Sequence, residues 1–140
     1  FGVFLAQKLA GKPLTIVGNG EQTRDFIHVD DLVRAIFKTA LSKKIGEIYN
    51  VGGGKEIKVN LISKLIGGKK IYIPKRPGEP KRSLADISKI KKDLNWRPKI
   101  KIEEGIKDLL SKIEYWKNAP VWTPKSIKKA TKTWFKLLSK

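Results

Sequence analysis

The sequence predicts an α/β fold, because two patterns alternate along it. Several stretches repeat apolar residues at three- and four-residue spacing, the mark of helices with one inward face. Between them stand short apolar runs bounded by glycine, proline and asparagine, the mark of strands. A third observation bounds the class. No apolar run approaches the roughly 20 residues that cross a bilayer, and there is no internal repeat or low-complexity stretch. A chain of 140 residues with 40% hydrophobic content suits one domain or most of one, with a modest core.

The elements follow in order. Phe1, Leu5 and Leu9 share a helical face with Phe4 beside them, which predicts a helix over 1–10. Leu14, Ile16 and Val17 form a strand, Gly18-Asn19-Gly20 a turn, and Phe26, Ile27 and Val29 a second strand. Asp30 is placed to cap a helix over 30–42, whose Leu32, Val33, Ile36, Phe37 and Ala40 make one buried stripe. Residues 46–51, GEIYNV, read as a buried strand. Asn60 can cap a short helix with Leu61, Ile62, Leu65 and Ile66 inward, closed by Gly67. A strand at 70–74 leads into a polar loop, 75–85, rich in proline and glycine. Asp86 opens a helix carrying Ile87, Ile90 and Leu94, which Asn95-Trp96-Arg97-Pro98 breaks. Ile102, Ile106, Leu109, Leu110, Ile113 and Trp116 then predict one long amphipathic helix.

Beyond residue 116 lies a basic tail. Thr123-Pro124 is cap and first-turn chemistry, and Ile127, Ala130, Trp134 and Leu138 continue at helical spacing. Two readings stand for this helix: docking on the parent domain or a partner subunit, or lying on a membrane surface. Docking is favoured, because Trp122 and Trp134 suit packing anchors and no second membrane signal accompanies them.

The formal net charge of +18 ordinarily points to nucleic acid or an anionic membrane. However, 26 of the 31 basic residues are lysines spread along the whole chain. Base readout and phosphate clamping favour arginine, interleaved with aromatic residues for single strands. Dispersed lysine fits surface replacement in an AT-rich genome, so no specific nucleic-acid role is assigned. Weak, salt-sensitive polyanion binding is still expected. Absence of cysteine removes disulfides, thiolate metal sites and a cysteine nucleophile, and fits a reducing cytoplasm. A single histidine, His28, excludes a multi-histidine metal site, and packing or local bonding is its expected role.

The most informative stretch is 11–31, GKPLTIVGNGEQTRDFIHVDD, where Arg24 emerges between a turn and a strand. A guanidinium presents a planar fork that matches phosphate oxygens two at a time. An ion pair with Asp25 or a loop carboxylate is the alternative. The stretch continued to Ile36 resembles the C-terminal signature of the extended short-chain dehydrogenase/reductase family, the NAD-dependent nucleotide-sugar epimerases and dehydratases. GEIYNVGGG at 46–54, IPKRPGEPKRSLADISKIKKDLNW at 73–96 and PKIKIEEGI at 98–106 agree in the same order.

That resemblance implies the C-terminal, substrate-binding portion of an extended Rossmann-type fold over 1–116, followed by the tail helix over 117–140. It implies a UDP-glucose 4-epimerase-like activity, with the 4,6-dehydratase and UDP-glucuronate decarboxylase branches as alternatives. A non-catalytic basic binding module is the reading from a different class. NAD would be bound by an N-terminal half that this sequence lacks. Phe1 and the absence of methionine read as a fragment or processed product. Neither G-x-G-x-x-G nor the catalytic Tyr-x-x-x-Lys pair is present, since Tyr49, Tyr72 and Tyr115 precede Gly53, Arg76 and Ala119 by four residues. The chain alone is expected to be inactive. The implied partner is a UDP- or dTDP-sugar, and the full-length enzyme would be a homodimer.

By motif, Arg24 and Arg76 match arginines that grip the sugar-nucleotide diphosphate. Glu79 matches the residue accepting the ribose hydroxyls, where many epimerases carry aspartate. Thr15, Ile16 and Val17 match the segment beside the base. Asn50 matches a substrate-contacting asparagine of the dehydratase branch, with a purely structural role equally open.

Overall fold

The computed structural model of the chain describes residues 1–138. Helix α1 (Gly2–Leu9) buries Leu5, Ala6 and Gln7. Strand β1 (Leu14–Val17) pairs in parallel with β4 (Lys70–Ile73), Leu14 opposite Lys70 and Val17 opposite Ile73. Strand β2 (Thr23–Asp25) pairs antiparallel with β3 (Glu56–Lys58), Arg24 opposite Ile57. Consecutive β1 and β2 therefore belong to different two-stranded sheets among the described residues.

The second strand is not where the apolar run predicted it. The ladder forms from the polar residues Thr23–Asp25, and β3 carries a single apolar residue, Ile57, too little to predict a strand. Phe26 and Ile27 turn inward instead, Phe26 against the core of Leu14, Ile62, Ile66 and Ile106, Ile27 against that of Ala35, Ile87, Ile90 and Trp96. Burial satisfies those side chains without a strand, whereas the ladder needs only backbone partners.

Helix α2 (Val29–Ala40) is capped by His28, whose Nδ1 accepts the Asp30 N–H at 3.2 Å, so the cap is not Asp30. Its buried residues are Asp31 and Ala35. The expected buried stripe faces outward: Leu32, Val33, Ile36 and Phe37 are all exposed, Phe37 at 65%. Residues 46–51 form an irregular segment rather than a strand, because no ladder partner runs beside it among the described residues. Tyr49 and Val51 pack inward while Ile48 is 83% exposed.

Asp31, fully buried, ties α2 to the later chain. It pairs with Arg34 and accepts the N–H groups of Lys99 and Ile100 at 3.0 and 2.9 Å. Its backbone carbonyl accepts Trp96 Nε1–H at 3.2 Å. Burial pushes the carboxyl up, but these N–H donors and Arg34 outweigh burial and hold it below the usual carboxylate range.

Helix α3 (Val59–Ile66) starts one residue before Asn60, so Asn60 is not its cap, and it ends at Gly67 with φ 75° as predicted. Asp86 accepts the Ser88 N–H at 2.9 Å at the start of α4 (Ser88–Leu94). The predicted long helix is broken: α5 (Ile102–Ser111) gives way at Lys112 to a 3₁₀ turn, Ile113–Trp116. The change of pitch brings the Trp116 ring onto Gly2 of α1, where any Cβ would collide with it. Periodicity cannot report such a switch, since i+3 and i+4 spacings suit both helix types.

The tail is two helices, not one: α6 (Pro124–Ala130) and α7 (Lys132–Leu138), parted at Thr131. Thr123 caps α6 by accepting the Ser126 N–H at 3.2 Å, with Pro124 in the first turn. The predicted tail region ran to 140, and its last two residues lie outside those described.

Candidate functional site

Strand β2 holds the 75–85 loop with three successive residues. The Thr23 N–H donates to the Lys81 carbonyl at 3.0 Å. Arg24 Nη1 donates to the Pro80 carbonyl at 2.9 Å and Nη2 to Glu79 Oε1 at 2.9 Å. Asp25 Oδ2 accepts the Ala85 N–H at 3.0 Å. A polar loop of this length thus becomes an ordered flank of the strand. Arg82 adds a two-bond clamp on Glu56, both at 2.8 Å, which holds that carboxyl below its ordinary value despite partial burial.

The turn opposite is stapled from α3. Asn60 Nδ2 donates to the Asn19 carbonyl at 2.9 Å and to Glu21 Oε1 at 2.7 Å, and the Asn60 N–H to the Gly20 carbonyl at 3.0 Å. Gly20 has φ 74°, and a Cβ there would strike the Asn60 side chain, so any other residue strains the turn or displaces the staple.

Between loop and turn lies a polar cleft of about 360 Å³, lined in part by Gly18, Gln22, Glu79 and Arg82. An adjoining, mostly apolar cavity of about 450 Å³ is lined by Thr15, Val17, Arg76 and Glu79. Glu79 borders both. Arg24 and Glu79 are partly shielded, with side chains 24% and 20% exposed. Arg76 lies over the Trp134 ring, 6.0 Å from its centroid. Its Nε–H is buried and has no hydrogen-bond partner among the described residues. A buried guanidinium donor without an acceptor is costly unless something supplies one.

Of the residues singled out from sequence, Glu79, Arg76, Thr15 and Val17 line this pair of cavities, and Arg24 lines neither but is bonded to Glu79, which lines both. The open question at Arg24 resolves as a pair with a loop carboxylate, Glu79, itself a predicted site residue; Asp25 is engaged elsewhere. Ile16 is fully buried in the core and does not line either cavity, because alternate residues of a strand face opposite ways. Asn50 is exposed and lies outside both cavities.

The glycine run 52–54 does not fit the pyrophosphate of a dinucleotide. The N–H groups of Gly53 and Gly54 are both spent on Asp25 Oδ1, at 2.6 and 3.1 Å. A Cβ at Gly53 would meet the Phe26 carbonyl, so the glycine serves close internal packing.

Against this geometry, comparison with known proteins is decisive. The family model for GDP-mannose 4,6 dehydratase matches residues 3–109, well over half of the chain. The chain belongs to that family. Among curated relatives, UDP-glucuronate 4-epimerase of Thermodesulfobacterium geofontis is 42% identical over 125 residues, covering 84% of this chain and 37% of its own length. dTDP-glucose 4,6-dehydratase 1 of Escherichia coli is 31% identical over 140 residues, covering 90% and 38%. Among solved structures, UDP-glucuronic acid 4-epimerase from Bacillus cereus, in complex with UDP-glucuronic acid and NAD, superposes with a TM-score of 0.74 at 35% identity, covering 81% and 38%. The chain thus spans a little over a third of these relatives' length. Its fold is a partial, C-terminal portion of the Rossmann-type fold of the nucleotide-sugar epimerases and dehydratases.

Within this GDP-mannose 4,6 dehydratase family chain, two glutamines at or behind the cavities escaped the sequence reading, and two tryptophans were read without their partners. Gln22 Nε2 donates to the Val17 carbonyl at 3.0 Å across the turn. Buried Gln7 accepts the Thr15 N–H at 3.1 Å and donates to Thr15 Oγ1 at 2.9 Å and to the Trp122 carbonyl at 2.7 Å. Trp134 Nε1–H donates to the Pro77 carbonyl at 2.8 Å. An isolated glutamine carries no signal in sequence. The two tryptophans were readable as packing anchors, but not which surface they would meet.

Proposed function

We propose that this chain binds the nucleoside diphosphate of a nucleotide sugar, as the substrate-binding portion of an NAD-dependent, UDP-glucose 4-epimerase-like enzyme. In this reading residues 1–116 are that portion and 117–140 a tail appended to it. The observation that carries the reading is Arg76 and Glu79 lining one cavity, with Arg24 bonded to Glu79 behind it and a buried Arg76 donor awaiting an acceptor.

Arg24 and Arg76 would balance a diphosphate carrying about two negative charges, through charge-assisted bonds. Glu79 orients Arg24 and presents a carboxylate to the ribose hydroxyls. Thr15 and Val17 flank the base, with Ile16 contributing only backbone. Asn50 has no part in this pocket. Residues 52–54 do not accommodate NAD, so the cofactor falls to the N-terminal half of the full-length enzyme. NAD there supplies hydride acceptance in a transient oxidation at C4 of the sugar, a step assigned to no residue of this chain. Lacking the proton-transfer pair, the chain alone is expected to be inactive.

The full-length enzyme is expected to be a cytoplasmic homodimer acting on a UDP- or dTDP-sugar. Among the described residues no helix is long and apolar enough to cross a membrane. The alternative branches, dehydratase and decarboxylase, share the same nucleotide-binding chemistry. Titration with UDP, dTDP and heparin, at low and physiological salt, tests the reading. UDP or dTDP binding that survives physiological salt, and is lost in Arg24→Ala while heparin binding persists, is the expected result. Heparin binding alone, with no nucleotide bound by folded chain, contradicts it and favours a basic binding module.

A further inference from the structure

The tail helices are fastened at two points, and both points are parts of the candidate site. At one end the Trp122 carbonyl accepts Gln7 Nε2–H at 2.7 Å, and the same glutamine holds the N–H and hydroxyl of Thr15 on β1. At the other end Trp134 donates to the Pro77 carbonyl at 2.8 Å and lies under the Arg76 guanidinium. Between these fastenings the cavity of about 450 Å³ has β1 and β4 on one side and Ile127, Ala130 and Thr131 on the other. Its volume falls in the range of small-molecule sites, and its lining is apolar apart from Arg76, Glu79, Gln22 and two threonines.

A guanidinium lying over an aromatic face is held by cation–π attraction, which leaves its in-plane N–H donors free. Trp134 therefore fixes Arg76 without consuming the donors a phosphate needs. The Arg76 Nε–H with no acceptor fits that arrangement.

We propose that the tail is a wall of the nucleotide pocket: Trp134 is a positioning residue for Arg76, and the apolar cavity under Ile127 and Ala130 takes the nucleoside of the bound nucleoside diphosphate. This rests on the reading of Arg24, Arg76 and Glu79 as the diphosphate site. It adds that pocket formation depends on residues beyond 109, where the family match ends.

Calorimetric titration of the full chain with UDP and with inorganic pyrophosphate separates the two parts. Trp134→Ala is expected to weaken both ligands about five-fold, the scale of a partly desolvated cation–π contact. Trp134→Phe, which keeps a ring but loses the bond to Pro77, is expected to recover most of the loss. Ala130→Phe, which fills the cavity from a solvent-exposed helix position, is expected to weaken UDP several-fold and leave pyrophosphate unchanged. Circular dichroism and thermal melting confirm that each variant is folded. If Arg24→Ala abolishes both ligands while the tail variants bind like wild type, the wall is overturned and the diphosphate site survives. Tighter binding in Trp134→Ala overturns it too, showing a cover that competes with ligand. If wild-type chain binds neither UDP nor pyrophosphate, the diphosphate site itself fails and the wall with it.

Discussion

Two arginine–carboxylate pairs in this molecule share their chemistry and differ in what surrounds them. Asp31 and Arg34 sit in one helix, and Asp31 is fully buried and supplied with N–H donors from Lys99 and Ile100. Arg24 and Glu79 are 55 positions apart and partly exposed, and Glu79 borders a cleft. A carboxylate saturated by backbone donors has nothing left to offer a ligand, and rearranging it exposes a buried charge. A pair at a cavity mouth can exchange partners when an anion arrives. The first pair holds the fold and the second is free to work.

Substitutions should separate them. The largest effect is expected from Asp31→Ala, which strands Arg34 and two backbone donors. The loss is about 2–4 kcal/mol, the scale for leaving two backbone donors unsatisfied, since Arg34 itself reaches solvent. Urea unfolding measures it, and a loss below about 1 kcal/mol would remove Asp31 from its central role. Asp25→Ala, which releases the N–H groups of Gly53, Gly54 and Ala85, should cost about 1.5–3 kcal/mol. Arg24→Ala inverts the pattern. Stability should change by no more than about 1 kcal/mol, because the pair is partly screened by solvent. Nucleotide affinity should fall by one to two orders of magnitude, from the loss of about 1.5–3 kcal/mol of charge-assisted bonding. In a full-length enzyme that loss should appear as a raised KM with a smaller change in kcat, since the nucleotide is remote from the reacting carbon.

Acid sharpens the same contrast. The Asp31 carboxyl is held below its ordinary value in the folded state, so its contribution to stability is fully present above the unfolded value and is lost as pH falls through the folded one. Unfolding free energy should therefore be level near neutrality and decline below about pH 5. Asp31→Asn should flatten that decline, which chemical denaturation at stepped pH would register. An unchanged acid limb in the variant would assign the decline to Glu56 and the other paired surface carboxylates.

The smallest effect on stability is expected on the outer face of α2. Val33, Ile36 and Phe37 are exposed, and a contiguous apolar face marks a surface suited to be covered. Phe37→Ser should alter stability by only about 0.5 kcal/mol or less, yet reduce self-association in light scattering. A large loss of stability there would mean that the face is packed within the chain.

What was legible divides along a physical line. Features set by near neighbours were readable: α1, β1, β4, the Gly67 end of α3, and the Thr123-Pro124 start of α6. Features set by distant partners were not. The β2–β3 ladder joins residues 33 positions apart through polar side chains such as Thr23 and Glu56, so no apolar pattern announces it. The stripe on α2 was correctly periodic but assigned to the wrong face, since periodicity says that a face is apolar and not what covers it. Around the candidate cavities, Arg76 and Glu79 had been singled out by motif, whereas Gln7, Gln22 and the placement of Trp134 emerge only in the tertiary structure.

The most direct measurement follows the arginine Nε–H signals by ¹⁵N NMR as UDP is added. The chain has five arginines, so the spectrum is simple to assign by substitution. Arg24 and Arg76 should shift together, saturating at one ligand concentration, while Arg34 in its pair with Asp31 stays fixed. Shifts confined to exposed Arg97, or none in a folded chain at saturating UDP, would contradict the assignment of this cleft as a nucleoside diphosphate site.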